Sequence, residues 1–290
     1  MASFFGTKIN PRQHHRSQIK FYLFLIPLAI LMLLPILFIF NHAFKPQSEL
    51  FAFPPRFFVR QPTLDNFREL GRVAAQGSIP LSRYVVNTII ITVVGVLSTI
   101  GISALAAYGL SKLKFRGKHL LFEINTIALM FVSSAVAITR YLVISKLGLV
   151  DNFLVHIIPN LAMPVNVFLF KQFMDQTPDE LIEAAKIDGA SEMQVLWHIV
   201  RPIVAPATAT VAIMSFLTYW SDSGTSFTYI NNEANRSFAF FLTSISSQAN
   251  VVAGQGMAAA SSLILFLPAL IFFIFSQSKV MDTMAHAGIK

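Results

Sequence analysis

Two groups of residues in this 290-residue chain have the types and spacing to do chemistry. The first is acidic. Asp175, Asp179, Glu180, Glu183, Asp188 and Glu192 crowd into one polar stretch, opposed by Lys186 and Arg201. Carboxylates at that density offer charge to a basic partner surface. The second is a single cation, Arg140, set inside the apolar run AVAITRYLVI. An arginine in lipid costs roughly 3 kcal/mol on insertion scales, so it must reach a headgroup, an ion-pair partner or a solute path. If it lines a path, the cargo is anionic, because guanidinium binds carboxylates bidentately. Neither group makes or breaks bonds. The chain has no cysteine, no His-x-x-x-His pair and no glycine-rich phosphate loop, since GLSKLKFRGK and GASEMQ lack the Walker spacing. It is read as non-catalytic, with no metal site and no cofactor of its own. His14 and His15 sit in a basic tail, and His156 reads as a core histidine.

The elements that hold these groups are apolar helices. Hydrophobic residues make up 54% of the chain and charged residues 12%, about half the charge of a soluble domain. Mean hydropathy is +0.62. Six spans of about twenty residues follow from hydropathy: Phe21–Phe40, Val85–Leu110, Leu120–Ile144, Phe153–Phe170, Ile203–Trp220 and Gly256–Phe275. Arg140, Pro159 and Pro164 interrupt the third and fourth. The net charge of +8 suits anionic headgroups and the positive-inside rule rather than nucleic acid. The Lys8–Lys20 and Lys112–Lys118 clusters place both termini in the cytoplasm. Residues 1–20 then form a basic cytoplasmic N-terminus and 21–290 one membrane domain. The basic run flows into the first span without a cleavage pattern, so that span is read as retained. Two outer segments are long: Phe44–Tyr84, rich in proline and aromatics, and the polar Ser221–Val252, a solvated loop or a contact for an external partner.

The acidic stretch lies in Thr177–Pro206, too polar for lipid and therefore at a membrane surface. Thr177 and Glu180 predict a capping box with Pro178 at the first helical position. The helix runs from Asp179 to about Asp188, and Gly189 closes it in the left-handed conformation. Ser191 and Gln194 predict a second box, opening a helix that stops at Pro202. Ala184, Ala185, Gly189 and Ala190 keep the turn low, so a partner groove can approach the backbone. A hairpin that merely rests on lipid is usually basic; an acidic one is a protein-docking device.

Glu183-Ala184-Ala185, then Gly189, Ile199 and Pro202 at their spacing, resemble the EAA loop of bacterial ABC importer permeases. The string EAAKIDGAS, followed by RPIVAP, is similar to the carbohydrate-uptake branch, above all to the smaller membrane subunit of the maltose-type importer. SKLGLVDNFL, KQFMDQTPDELIEAA, FLTYWSD and the tail Gln277–Lys290 extend the resemblance over most of the chain. Two departures stand out: Arg201 replaces the usual leucine before the closing proline, and Arg140 replaces a proline-containing apolar run. The resemblance implies an all-α membrane protein with six transmembrane helices, the type I ABC importer permease fold, and a cytoplasmic coupling helix. Glu183, Ala184, Ala185, Asp188 and Gly189 become coupling contacts, and Gln277 and Lys290 reach the ATPase interface. The implied partners are a second, homologous permease, a dimer of ATPase subunits that bind ATP and magnesium, and an extracytoplasmic solute-binding protein docked on the outer loops. The implied cargo is a sugar or oligosaccharide, and the implied location the bacterial cytoplasmic membrane.

Asn87, Asn125, Asn160, Asn166, Tyr219, Trp220 and Asp222 lie in or near the spans. Amides and aromatic rings together suit sugar hydroxyls and ring faces. They suit helix–helix hydrogen bonds and an interfacial aromatic belt equally well. Other solutes, such as a polyol or glycerol phosphate, fit the same machine. A secondary transporter fits less well, because Glu123 is the lone candidate for an acidic relay. A membrane scaffold using the acidic hairpin is the third class.

Overall fold

In the computed structural model, residues 18–132, 134–161, 163–248 and 253–287 are described, and they are helical wherever they are regular. The α-helices, in order, are α1 (Ile19–Ala43), α2 (Gln47–Leu50), α3 (Asp65–Gln76), α4 (Leu81–Lys112) and α5 (Lys118–Ala128). Next come α6 (Ala137–Lys146), α7 (Pro164–Met174), α8 (Asp179–Ile187), α9 (Glu192–Val195) and α10 (Arg201–Ile203). The last are α11 (Ala205–Trp220), α12 (Gly224–Tyr229), α13 (Phe238–Gln248) and α14 (Ala253–Ala287). Three described helices are long and apolar enough to cross a membrane: Ile19–Ala43, Leu81–Lys112 and Gly254–Gln277. Two bent pairs pass the same test: Phe153–Asn160 with Pro164–Met174, at 42°, and Glu192–Ile203 with Ala205–Trp220, at 84°.

The contacts divide the chain into two units. In the first (residues 1–72 and 246–263), the described part is α1, the segment after it, and the start of α14. The apolar side chains of α1 are largely exposed, as for a helix facing lipid. Polar groups pin the segment that follows. Asn66 Nδ2 donates to the carbonyls of Ala43 (2.9 Å) and Lys45 (2.8 Å), and Lys45 Nζ to that of Arg56. The Glu49 carboxylate accepts the backbone N–H groups of Arg60 and Gln61, which hold its pKa below the ordinary carboxylate value. A Cβ at Gly256 would stand 2.2 Å from Asn66 Oδ1, so α14 can pass this close only as glycine.

The second unit (residues 73–245 and 264–290) is built on α4, α7 and α11. At 1.5 Å per residue, the 32 residues of α4 extend about 48 Å, well beyond a hydrocarbon core of about 30 Å. Tyr219 lies across α4 at Gly95, where a Cβ would be 2.7 Å from its ring, and its hydroxyl meets that of Thr99 at 2.9 Å. Trp220 Nε1 donates to Leu265 O (3.0 Å), and Phe216 stacks on Phe272, joining α11 to α14.

Four expectations are corrected. The stretch Leu120–Ile144 is not one helix: α5 and α6 are separated by turns at 129–130 and 134–136. The Thr177–Glu180 box does not form. Pro178 is extended (φ −58°, ψ 132°) and is itself the N-cap, while the Thr177 carbonyl is held by Lys112 Nζ at 2.7 Å. The second helix does not stop at Pro202. A π-helical turn over Leu196–Val200, closed by Arg201 N–H to Leu196 O, widens the helix ahead of the proline, which then sits inside α10. Finally, Ser221–Val252 is no plain polar loop. It contains α12 and α13, with Phe238, Ala239, Leu242 and Ile245 buried.

Candidate functional site

The hairpin α8–α9 has one face inside and one outside. Ile182 is 5% exposed, whereas Ile187 is 86% exposed. Five residues apart on a helix, they point about 140° from one another. Ile182, Val195, Leu196 and Val200 share a core with Ala107, Tyr108 and Leu110 of α4, Val167, Phe170 and Met174 of α7, and Ala207 and Val211 of α11. Each fully buried aliphatic side chain is worth roughly 1.5–3 kcal/mol, so this core, rather than its polar rim, fastens the hairpin to the spans.

The rim sets the register. Tyr108 Oη donates to Glu192 Oε2 (2.6 Å), and Lys186 Nζ pairs with Glu192 Oε1 (2.6 Å). Lys112 Nζ contacts Asp179 Oδ1 (2.7 Å), Ser111 Oγ contacts Asp175 Oδ1 (2.6 Å), and Lys171 pairs with Asp175 (2.6 Å). The Lys112 ammonium holds the Asp179 carboxyl below its ordinary pKa. Lys186, and after it the Tyr108 hydroxyl, does the same for Glu192. The carboxylates are solvent-exposed, so these pairs set the register and add little stability.

The turn is a Schellman closure. Gly189 has φ +84°, Ala190 N–H donates to Ala185 O (2.9 Å), and Gly189 N–H to Lys186 O (3.1 Å). A Cβ at Gly189 would meet no atom within 4 Å, so glycine is needed for the left-handed backbone and not for space. Ser191 and Gln194 form the expected reciprocal capping box. Glu183, Ala184, Asp188 and Gly189 are exposed together, with Ala185 half-buried behind them. Ile187 completes this surface and was missed in the sequence, although its offset from the Ile182 face was there to read.

Residues 98–278, well over half of the chain, match the family described as the binding-protein-dependent transport system inner membrane component. The chain belongs to that family. It is a multi-pass inner-membrane permease. One relative, a probable starch degradation products transport system permease protein from Thermoanaerobacterium thermosulfurigenes, is 28% identical, over 91% of this chain and 94% of its own. Another, the polygalacturonan/rhamnogalacturonan transport system permease protein of Bacillus subtilis strain 168, is 28% identical over 81% of this chain and 78% of its own. The permease also shares its fold with a chain in the crystal structure of a bacterial ABC transporter involved in import of the acidic polysaccharide alginate. There the TM-score is 0.74 at 20% identity, covering 92% of the permease and 98% of that chain.

The other residues singled out in the sequence are dispersed. Asn87 is buried, and its amide donates to Ala234 O (2.8 Å) and Arg236 O (3.0 Å). Asp222 Oδ1 accepts Thr225 N–H (3.1 Å) at the start of α12. Tyr219 and Trp220 are occupied by the α4 and α14 contacts described above, and His156 is buried against Asn235 O (3.1 Å). Asn166 is 1% exposed, and neither amide atom has a hydrogen-bond partner within the described residues. It lies nine residues back from Asp175, as Ser103 lies eight back from its partner Ser111. Along their helices they lie about 13.5 Å and about 12 Å from that contact. Ser215, one turn from Tyr219, reaches the same level, and the hydroxyls of Ser103 and Ser215 likewise lack partners.

Arg140 and Asn160 do come together: Arg140 Nη2 donates to Asn160 Oδ1 at 2.8 Å. Asn125 Nδ2 donates to Pro164 O at 3.1 Å. The interrupted third span is thereby tied to the bent fourth at two points. Gln277 is exposed on α14, and Lys290 lies outside the described residues.

Proposed function

We propose that this permease carries a sugar or oligosaccharide across the bacterial cytoplasmic membrane and that α8–α9 is its coupling element. The family membership supplies the binding-protein-dependent import system, and the named cargoes of the relatives supply the carbohydrate class. In this reading Glu183, Ala184, Ala185, Ile187, Asp188 and Gly189 enter a groove of a cytoplasmic ATPase dimer that binds ATP and magnesium. A second, homologous permease completes the path, and a solute-binding protein delivers cargo on the opposite side. Both termini face the cytoplasm, where the 277–290 tail meets the ATPases.

The observation that carries the proposal is the two-sided hairpin. Its exposed turn has an unpartnered Ile187 at the tip, and its buried face is continuous with the core of α4, α7 and α11. A push on the turn therefore moves three span helices as one body. The test is expression with the neighbouring genes, purification, and uptake by proteoliposomes. ATPase subunits are expected to co-purify, with uptake requiring ATP. The Ile187→Asp variant should fold and insert normally yet lose ATPase association and at least about tenfold in uptake, the loss of one interface anchor. Uptake that follows an ion gradient without ATP would overturn the reading.

A further inference from the structure

The groove beside Arg140 encloses about 420 Å³ and is lined by Val136, Arg140, Ile144, Leu147, Ile158 and Pro159 among others. Thr139 also lines it, and apart from Thr139 and Arg140 the lining side chains are apolar. The guanidinium carries five donors, and Asn160 takes one of them with a neutral amide oxygen. Among the described residues no carboxylate lies within ion-pair distance of Arg140, so none of them compensates its charge.

Three features separate this arginine from one that reaches for headgroups. Six residues divide it from Lys146 at the end of α6, a rise of about 9 Å, which sets it well inside that end. That end is itself fixed, because Ile144 is buried with Val155, Tyr229 and Ile230, and Tyr141 stacks on Tyr229. The side chain also turns sideways to Asn160, which is 6% exposed at the bend of the neighbouring span. Facing hydrocarbon would be costly for a charge so placed, which favours water or a solute as its neighbour. Both spans that meet here are interrupted, and in secondary transporters broken spans are where solute sites are built.

We propose that Arg140, positioned by Asn160, contacts an anionic group on the cargo, and that the cargo is a carboxylated sugar of the uronate class. This deepens the sugar-importer reading and rests on it. A planar guanidinium with free donors matches a carboxylate bidentately, and the apolar groove wall suits the less polar face of a sugar ring. A lipid phosphate presents similar chemistry to Arg140, so the test separates the two sources.

The assembled complex, with its binding protein, is placed in phosphatidylcholine liposomes with or without phosphatidylglycerol. Uptake and ATPase stimulation are measured with trigalacturonate and with its methyl ester, which has the same shape and no charge. The wild type is expected to prefer the acid in both lipids. Arg140→Gln should lower kcat/KM for the acid by about tenfold or more and leave the ester within about twofold, while Arg140→Lys retains part of the preference. Equal use of acid and ester by the wild type overturns the proposal and leaves the sugar reading intact. An effect of Arg140→Gln confined to phosphatidylglycerol liposomes overturns it in favour of a lipid contact. An acid preference that survives Arg140→Gln overturns the role of Arg140. Failure of both glycans and of neutral oligosaccharides alike would instead remove the sugar-importer reading.

Discussion

The hairpin junction and the meeting point of the third and fourth spans are both polar structure in an apolar protein, yet they are built in opposite ways. At the junction, Ile182, Val195 and Val200 fill a continuous core, and the charges outside it are paired: Lys112 with Asp179, Lys186 with Glu192, Lys171 with Asp175. Between the spans, two single hydrogen bonds, Arg140–Asn160 and Asn125–Pro164, bridge interrupted helices, and a positive charge is left open to a groove. The first arrangement is a closely packed core, as the proposed coupling role requires. The second leaves hydrogen-bonding capacity for something that is not part of the chain. Packing gives the junction its stiffness, because interiors at crystal-like density pass on strain instead of absorbing it.

The contrast breaks most severely if charge enters the junction core. Val195 is 0% exposed, so Val195→Asp buries an unpaired carboxylate and should cost more than about 4 kcal/mol. The expected result is loss of the monodisperse peak when solubilised membranes are run on a sizing column. Ile187→Asp, at the exposed tip of the same hairpin, should leave that peak and the melting temperature unchanged while uptake falls. If the two variants behaved alike, the two-sided hairpin would be refuted. Next in size is Gly189→Val, which forces a β-branched residue to φ +84°. It should destabilise the turn by about 1–2 kcal/mol, seen as faster amide exchange at residues 185–190.

Tyr108→Phe sharpens the comparison within the rim. Losing the hydroxyl bond to Glu192 should cost about 1 kcal/mol, because the carboxylate keeps access to water. The smallest effect is that of pH. The carboxyls of Asp179 and Glu192 have depressed pKa values, so their stabilisation is fully present above the ordinary carboxylate range and is lost as pH falls through the folded values. A melting series from pH 7 down to pH 3 should show a shallow decline beginning below about pH 5. Lys112→Met should remove most of the Asp179 share of that slope, and Lys186→Met the larger part of the Glu192 share.

Much of the hairpin was legible because its signals are local. Gly189 and the Ser191–Gln194 box act within a few residues of backbone, and both formed as read. The Thr177–Glu180 box failed because the Thr177 N–H it needs is donated to Met174 O (3.1 Å), and the extended Pro178 starts the helix one residue later. The break in the third span was not legible, because apolar composition is the same for one long helix and for two short ones. The solvated-loop reading of Ser221–Val252 failed for the reverse reason. The segment's serines and asparagines are polar, but the Ser226 and Ser237 hydroxyls are spent on one another and on the Asp222 carbonyl, and the Asn235 backbone carbonyl meets His156.

By itself the sequence determined that this protein lives in a membrane and that it carries an acidic, glycine-closed hairpin too polar for lipid. Those properties follow from composition and from interactions spanning a few residues. Only the tertiary structure decided which side of the hairpin is buried, that Asn87 and Tyr219 are held in intramolecular contacts, and that Arg140 meets Asn160. These outcomes depend on which helices touch. Hydrogen-bonding groups far apart in the chain are satisfied or left open only once packing has brought their neighbours in.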